Sequence, residues 1–314
     1  MRWAYKAMVQ KFCAAAPGGD VLYQRIQQRF GRLGADPFRR LPTHARMVRR
    51  LRDMGFGGEG RRCLEIGTGH LPVAPVAFYL VGARETVTVD LHRRLNPELT
   101  AEMLHRMAAA EDQLLELYDG VVAPELLRER LAVIRGLAGR PYELLERIGV
   151  RYVAPGDAAR MPDPDGSFDL SFSVTVLEHV TPGALRQILA EARRLLTADG
   201  VAAHLIDPSD HFAHQDQRIT RINFLRFSER EWRRVGGNEF SYCNRLRAPE
   251  LERLFDEAGF GIERSERTVD ERSRAALARG FPVHPDFRRF EPAELCTTEL
   301  EIYARPRTSA SLPT

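Results

Sequence analysis

Residues 63–83 read CLEIGTGHLPVAPVAFYLVGA, and this run constrains the fold more than any other. An apolar strand runs into Glu65, a turn spaced by Gly67 and Gly69 follows, and an apolar segment with prolines only near its start comes next. A second apolar strand, ETVTVD, closes on Asp90. Strand, turn, helix and strand in that order predict an open parallel sheet, which binds ligands beyond the carboxyl ends of its strands. Glycines at 67 and 69 let the backbone approach a ligand closely there. A carboxylate at Asp90 can accept hydrogen bonds from both hydroxyls of a ribose.

The charge around the turn narrows the ligand. A pyrophosphate needs the helix N-terminus close, with a third small residue in the turn, but position 72 is proline, which removes an amide donor and adds bulk. Glu65 sets a carboxylate beneath the turn. A cationic ligand fits that better than a dinucleotide, and S-adenosylmethionine carries both an ammonium and a sulfonium.

Further strands are expected at 150–155, 168–174, 200–207, 261–268 and 298–305, with helical patterns between most of them. The fold class is therefore α/β: a Rossmann-like, seven-stranded, mostly parallel sheet with helices on both faces, its last two strands forming a hairpin-like edge. An N-terminal helical extension is expected over 1–58, including a helix from Val21 to Leu33, and the main domain over 59–305. The terminal residues 306–314 read as a disordered tail. One connection is too long for a simple crossover. Between Asp90 and Tyr152, Leu99, Met103, Met107, Leu114 and Leu117 repeat at helical spacing, as do Leu127, Leu131 and Ile134. Two inserted helices are expected within 95–150, serving either as a lid over an apolar acceptor or as added structural layer.

The chain resembles the class I S-adenosylmethionine-dependent methyltransferases over about residues 60–305. The resemblance is carried by LEIGTG, by Asp90, by GDAARMP, by FDLSFSVTVLEHV and by ARRLLTADGV, in the family's order. HLP stands where the family's first motif often has a third glycine. By this resemblance Glu65, Gly67, Thr68 and Gly69 would hold the methionine moiety. Asp90 with Leu91 would hold the ribose, and Asp157 with Ala158 the adenine. Ser173 and Val174 would end the fourth strand beside the cofactor.

Methyl transfer from a sulfonium is an in-line displacement, so alignment supplies much of the rate, and a hydroxyl acceptor gains from a general base. His179 in VLEHV and His211 and His214 in PSDHFAHQD are the candidates. Asp210, His211, His214 and Asp216 could be read as metal ligands, but their spacing matches no metal motif, and no metal site is expected. Arg218, Arg221, Arg226 and Arg230 follow, interleaved with Phe224, Phe227 and Trp232. They would either grip an acidic acceptor or form a solvated helix face.

A methyl acceptor that is a small molecule, lipid-linked or sugar-containing, modified at oxygen, is the leading expectation. RNA or protein acceptors and a non-catalytic cofactor-binding partner are the alternatives. A formal charge of +3 with acidic residues interleaved throughout argues against a nucleic-acid partner. Four scattered cysteines, with no CxxC pair, suggest neither a disulfide framework nor a zinc site. No apolar run is long enough for a bilayer span. A cytoplasmic protein is expected, with peripheral membrane contact through the N-terminal helices left open.

Overall fold

The computed structural model describes residues 2–15, 34–238 and 242–307. Seven strands form one sheet: β1 (Arg62–Ile66), β2 (Glu85–Val89), β3 (Val150–Val153), β4 (Phe168–Val174), β5 (Leu196–Ile206), β6 (Phe260–Val269) and β7 (Thr297–Pro306). Their order is β3-β2-β1-β4-β5-β7-β6. All neighbours are parallel except β7, which runs antiparallel to both β5 and β6. The last two strands thus form the expected antiparallel, hairpin-like edge, with β6 outermost. Pro306 closes β7 rather than opening a tail, and the rest of the expected tail from residue 308 lies outside the described residues, as does the Val21 to Leu33 helix. β7 lies inside the sheet, because the chain leaves β6, crosses residues 270–296 with their own short helices, and returns between β6 and β5.

Two apolar layers sandwich the sheet. One face is covered by α2 (Leu41–Asp53), α3 (Val73–Leu80) and the insertion after β2. The other is covered by α8 (Pro182–Leu195) and α10 (Ala248–Glu257), whose Leu185, Leu189, Leu251 and Phe255 are fully buried. Both central strands are buried on both faces even though CLEI carries Glu65 and FDLSFSV alternates apolar with polar residues, Ser171 and Ser173 being buried with the rest.

The insertion contains four helices rather than two: α4 (Pro97–Ala109), α5 (Glu111–Leu117), α6 (Pro124–Leu137) and α7 (Pro141–Arg147). Ala110 and Arg140, both outside helical geometry, break the longer patterns, and prolines at 97, 124 and 141 open three of the helices. Met103, Met107, Leu114, Leu127, Leu131 and Ile134 are all completely buried in the layer that carries α2 and α3. The methionines are thus core residues, whereas Leu99 lines a cavity shared with Arg39, Arg40 and His70.

A third apolar cluster lies beyond β5. Trp3 of α1 (Trp3–Ala15) packs 5.7 Å from Phe212 and 6.2 Å from Trp232 of α9 (Glu229–Val235), and its amide donates to Asp216. The same helix leaves Tyr5, Met8 and Phe12 exposed. No helix among the described residues is long and apolar enough to cross a membrane.

Candidate functional site

At the carboxyl end of β1 the chain turns through Gly67 with φ +85°. A Cβ there would stand 2.5 Å from a methyl of Val176, so both the dihedral and the close approach require glycine. Gly69, with φ +67°, faces open space instead. The pairing of β1 with β2 sets Glu65 opposite Thr88, whose hydroxyl donates to the Glu65 carboxylate and also bonds Thr68. Burial lifts Glu65 from its ordinary 4.5 to about 8, against the pull of that bond and of Arg40.

A cavity of about 320 Å³ opens over this turn. Glu65, Gly67, Thr68 and Gly69 form its floor, and Val174, Thr175, Val176 and Leu205 its side. Thr175 holds φ +53°, an uncommon conformation for a β-branched residue and one that bends the chain away as β4 ends. The opposite wall comes from Arg39, Arg40, Thr43 and His44, on the short turn Pro37–Arg39 and on α2. Arg46 holds α2 there through ion pairs of 2.7 Å to Glu299 and Glu301 on β7. Burial depresses His44 to about 3, so it is neutral, and its Nδ1 has no hydrogen-bond partner among the described residues. A second chamber of about 260 Å³ shares Arg39, Arg40 and Leu71 and adds His70 and Leu99. The N-terminal segment is thus part of the site, which its sequence did not announce.

The remaining cofactor candidates lie along the sheet edge, outside the lining of that cavity. Asp90 Oδ2 accepts the Gly69 amide at 3.0 Å, and its carbonyl accepts the Gly156 amide at 2.9 Å. Asp157, exposed, folds its loop by accepting the Ala159 amide at 2.9 Å, while Ala158 is half-buried. The Leu91 side chain is 65% exposed, so any contribution beyond backbone would need the ligand to cover it. Ser173 is fully buried, its hydroxyl bonded at 2.8 Å to His204 on the neighbouring strand, which removes that side chain from the cavity.

The three candidate histidines do converge. Rings of His179 and His211 are 4.9 Å apart, and those of His211 and His214 are 5.0 Å apart. His211 Nε2 and His214 Nε2 lie 3.4 and 3.2 Å from Asp207, the residue that follows β5. Burial opposes ionisation of Asp207, yet the imidazoles of His211 and His214 beside it hold it well below the usual carboxylate range. His211 is raised despite its burial, through Asp207 and Glu178. His179 is lowered by burial and by His211. Glu178 lies beneath them, 1% exposed and lifted by burial to about 8. Sequence reasoning missed Glu178 and Asp207; a carboxylate beside each histidine motif was the available signal. The two further candidate metal ligands are directed elsewhere. Asp210 accepts from Phe212 and Asn223, and Asp216 from Arg218 and Trp3.

The arginines expected after β5 form no common grip. Arg218 pairs with Asp216, Arg226 lies over Phe227, and Arg230 is exposed, while Phe224 and Trp232 are core. Two others, Arg245 and Arg247, are buried. They tie this loop together by donating to Phe224, Phe227 and Pro208 carbonyls.

A family model described as a methyltransferase domain matches residues 107–204, from within the insertion to the body of β5. No curated protein matches significantly. Among solved structures, the chain is similar to the Burkholderia thailandensis 1,6-didemethyltoxoflavin-N1-methyltransferase, at 16% identity and a TM-score of 0.48, over 97% of this chain and 89% of that one. An S-adenosylmethionine-dependent methyltransferase from Mesorhizobium loti is similar at 16% identity and a TM-score of 0.43, over 82% of this chain and 96% of that one. The family match marks a methyltransferase domain over residues 107–204, and the strand order, with an antiparallel β7 between β5 and β6, is that of the Rossmann-like class I methyltransferase fold, whose cofactor is S-adenosylmethionine.

Proposed function

We propose that this chain transfers the methyl group of S-adenosylmethionine to an oxygen of a small-molecule, lipid-linked or sugar-containing acceptor. The observation that carries the reading is the cluster of His179, His211 and His214 around Asp207, directly beyond the strand ends that line the cofactor cavity. A hydroxyl must lose its proton as it attacks. His214, the more exposed of the two histidines on Asp207, is the residue assigned to take it, with Asp207 steadying the imidazolium.

In this reading Glu65 pairs with the cofactor's ammonium and Arg40 with its carboxylate, one from each wall of the cavity. Asp90 holds the ribose, Asp157 and Ala158 the adenine, and Leu91 and Ser173 contribute only backbone. The insertion over 95–150 acts on the acceptor through Leu99. The exposed Tyr5, Met8 and Phe12 on α1, a helix packed against the loop after β5, favour a lipid-linked acceptor delivered at a membrane surface.

Incubation with methyl-labelled cofactor and fractionated cell extract tests the reading. Label in a lipid or small-molecule fraction, stable to conditions that cleave methyl esters, is expected. Label confined to RNA or protein would replace the acceptor class. Tight cofactor binding with no labelled fraction at all would favour a non-catalytic partner.

A further inference from the structure

The side chain that the methyl-transfer chemistry leaves unexplained is Glu178. It is 1% exposed, and neither carboxylate oxygen has a hydrogen-bond partner among the described residues. A buried carboxylate without a partner is costly, so such a group either stays protonated or answers a cation. The nearest cationic candidate is no lysine or arginine. It is an imidazole, His179, whose Nε2 is 4.0 Å away. Ligand-capable atoms of Glu178, His179 and His211 all lie within 4.8 Å of one another. Asp207, His211 and His214 form a second set under the same limit, with His211 common to both.

The supports of these side chains suit a metal. His179 Nδ1 meets the Tyr242 carbonyl at 2.7 Å, which places its proton on that nitrogen and leaves the Nε2 lone pair free. Asn244 pins the same loop, donating through its side chain to the Leu177 and Val180 carbonyls and through its amide to the Glu178 carbonyl. His211 Nε2 is buried and, with Asp207 at 3.4 Å, has no well-aligned hydrogen-bond partner among the described residues.

We propose that Glu178, His179 and His211 bind one divalent transition-metal ion beside the acceptor position. Two imidazoles and one carboxylate suit zinc, manganese, iron or cobalt better than magnesium, which prefers an all-oxygen shell. Three protein ligands leave coordination positions open, as catalytic sites require. The use of the ion rests on the methyl-transfer reading. An acceptor hydroxyl in an open position becomes more acidic and gives its proton to His214. Its oxygen lone pair then forms the bond to the methyl carbon, while the carbon–sulfur bond breaks with its electron pair staying on sulfur. Asp207 and His214 remain the proton-accepting pair.

The test is titration of the full chain with Co2+ after dialysis against a chelator. One Co2+ per chain is expected, with visible d–d absorption. Thiolate charge transfer should be absent, because all four cysteines are buried. Glu178→Gln and His211→Ala should each weaken binding by about 100-fold or more, whereas His105→Ala, exposed on the insertion, should leave it unchanged. Where His211→Ala fails to fold, Glu178→Gln decides: it keeps the side chain's shape, removes the carboxylate ligand and should abolish the rise in Tm that Co2+ gives the wild type. A folded wild type without stoichiometric Co2+, or equal affinity in wild type and Glu178→Gln, overturns the site. S-adenosylhomocysteine affinity on the same samples separates the two readings. Cofactor binding without Co2+ binding sinks the metal site alone, and Co2+ binding without methyl transfer leaves the site standing while the acceptor reading fails.

Discussion

The Asp90 carboxylate accepts the Gly69 amide at 3.0 Å, so the residue that ends β2 also holds the turn that ends β1. One oxygen is committed to the turn and the other is left largely to solvent and to the His92 amide at 3.3 Å. Asp90→Ala should therefore act twice, loosening the turn and removing the acceptor for ribose hydroxyls. A hydrogen bond to a charged group is worth about 1.5–3 kcal/mol, so S-adenosylhomocysteine affinity should fall roughly ten- to hundredfold. Calorimetric titration giving wild-type affinity in a folded variant would remove Asp90 from the cofactor site.

The two turn glycines should respond differently to substitution. Gly67→Ala pushes a methyl into Val176 as well as straining φ, and should cost about 1–3 kcal/mol of stability along with cofactor binding. Gly69→Ala meets no atom within 4 Å and carries only the dihedral strain, about 1–2 kcal/mol. Adding Val176→Ala to Gly67→Ala should recover the steric part and not the strain. Thermal denaturation of the four proteins checks this, and equal losses at both glycines would show that Val176 does not set the fit.

How far the sequence revealed this site depends on the range of the interactions involved. β4 was legible to the residue, because Phe168, Leu170, Phe172 and Val174 recur at the strand period of two. β5 starts at Leu196, earlier than its apolar run, because its first residue pairs Phe168 across an irregularity that no local pattern records. The glycine turn and Asp90 were legible because their chemistry is contained in a few neighbouring residues. The Arg39, Arg40 and His44 wall was not: its place depends on Arg46 reaching Glu299 and Glu301, more than 250 residues later. Glu178 was hidden for a related reason. A carboxylate inside VLEHV gives no sign of burial until the loop around Asn244 closes over it.

The insertion should behave as core wherever its apolar side chains are fully enclosed. Met103→Ala and Met107→Ala each remove a completely buried side chain and should cost about 2–5 kcal/mol in urea unfolding, with acceptor preference unchanged. Leu99→Ala, on the second chamber, should cost less stability and shift acceptor KM more. A change of acceptor preference in the methionine variants, with stability preserved, would mean that they face the acceptor.

Glu65 should make cofactor binding depend on pH in a defined direction. Burial raises its carboxyl from 4.5 to about 8, so the free folded protein holds that proton at neutral pH, where the unfolded chain has released it. The stability this proton confers on the free protein is fully present below the unfolded value and is lost as pH rises through about 8. A bound ammonium beside Glu65 favours the ionised form, so binding must expel the proton. Affinity for S-adenosylmethionine should then climb from about pH 6 to about pH 8, by at most about tenfold per unit, and level off above. Calorimetry in buffers of different ionisation enthalpy should register up to one proton released per cofactor bound near neutrality, and Glu65→Gln should bind more weakly with the slope removed. A wild type without the slope, or a Glu65→Gln variant that keeps it, would mean that Glu65 does not face the cofactor's charge.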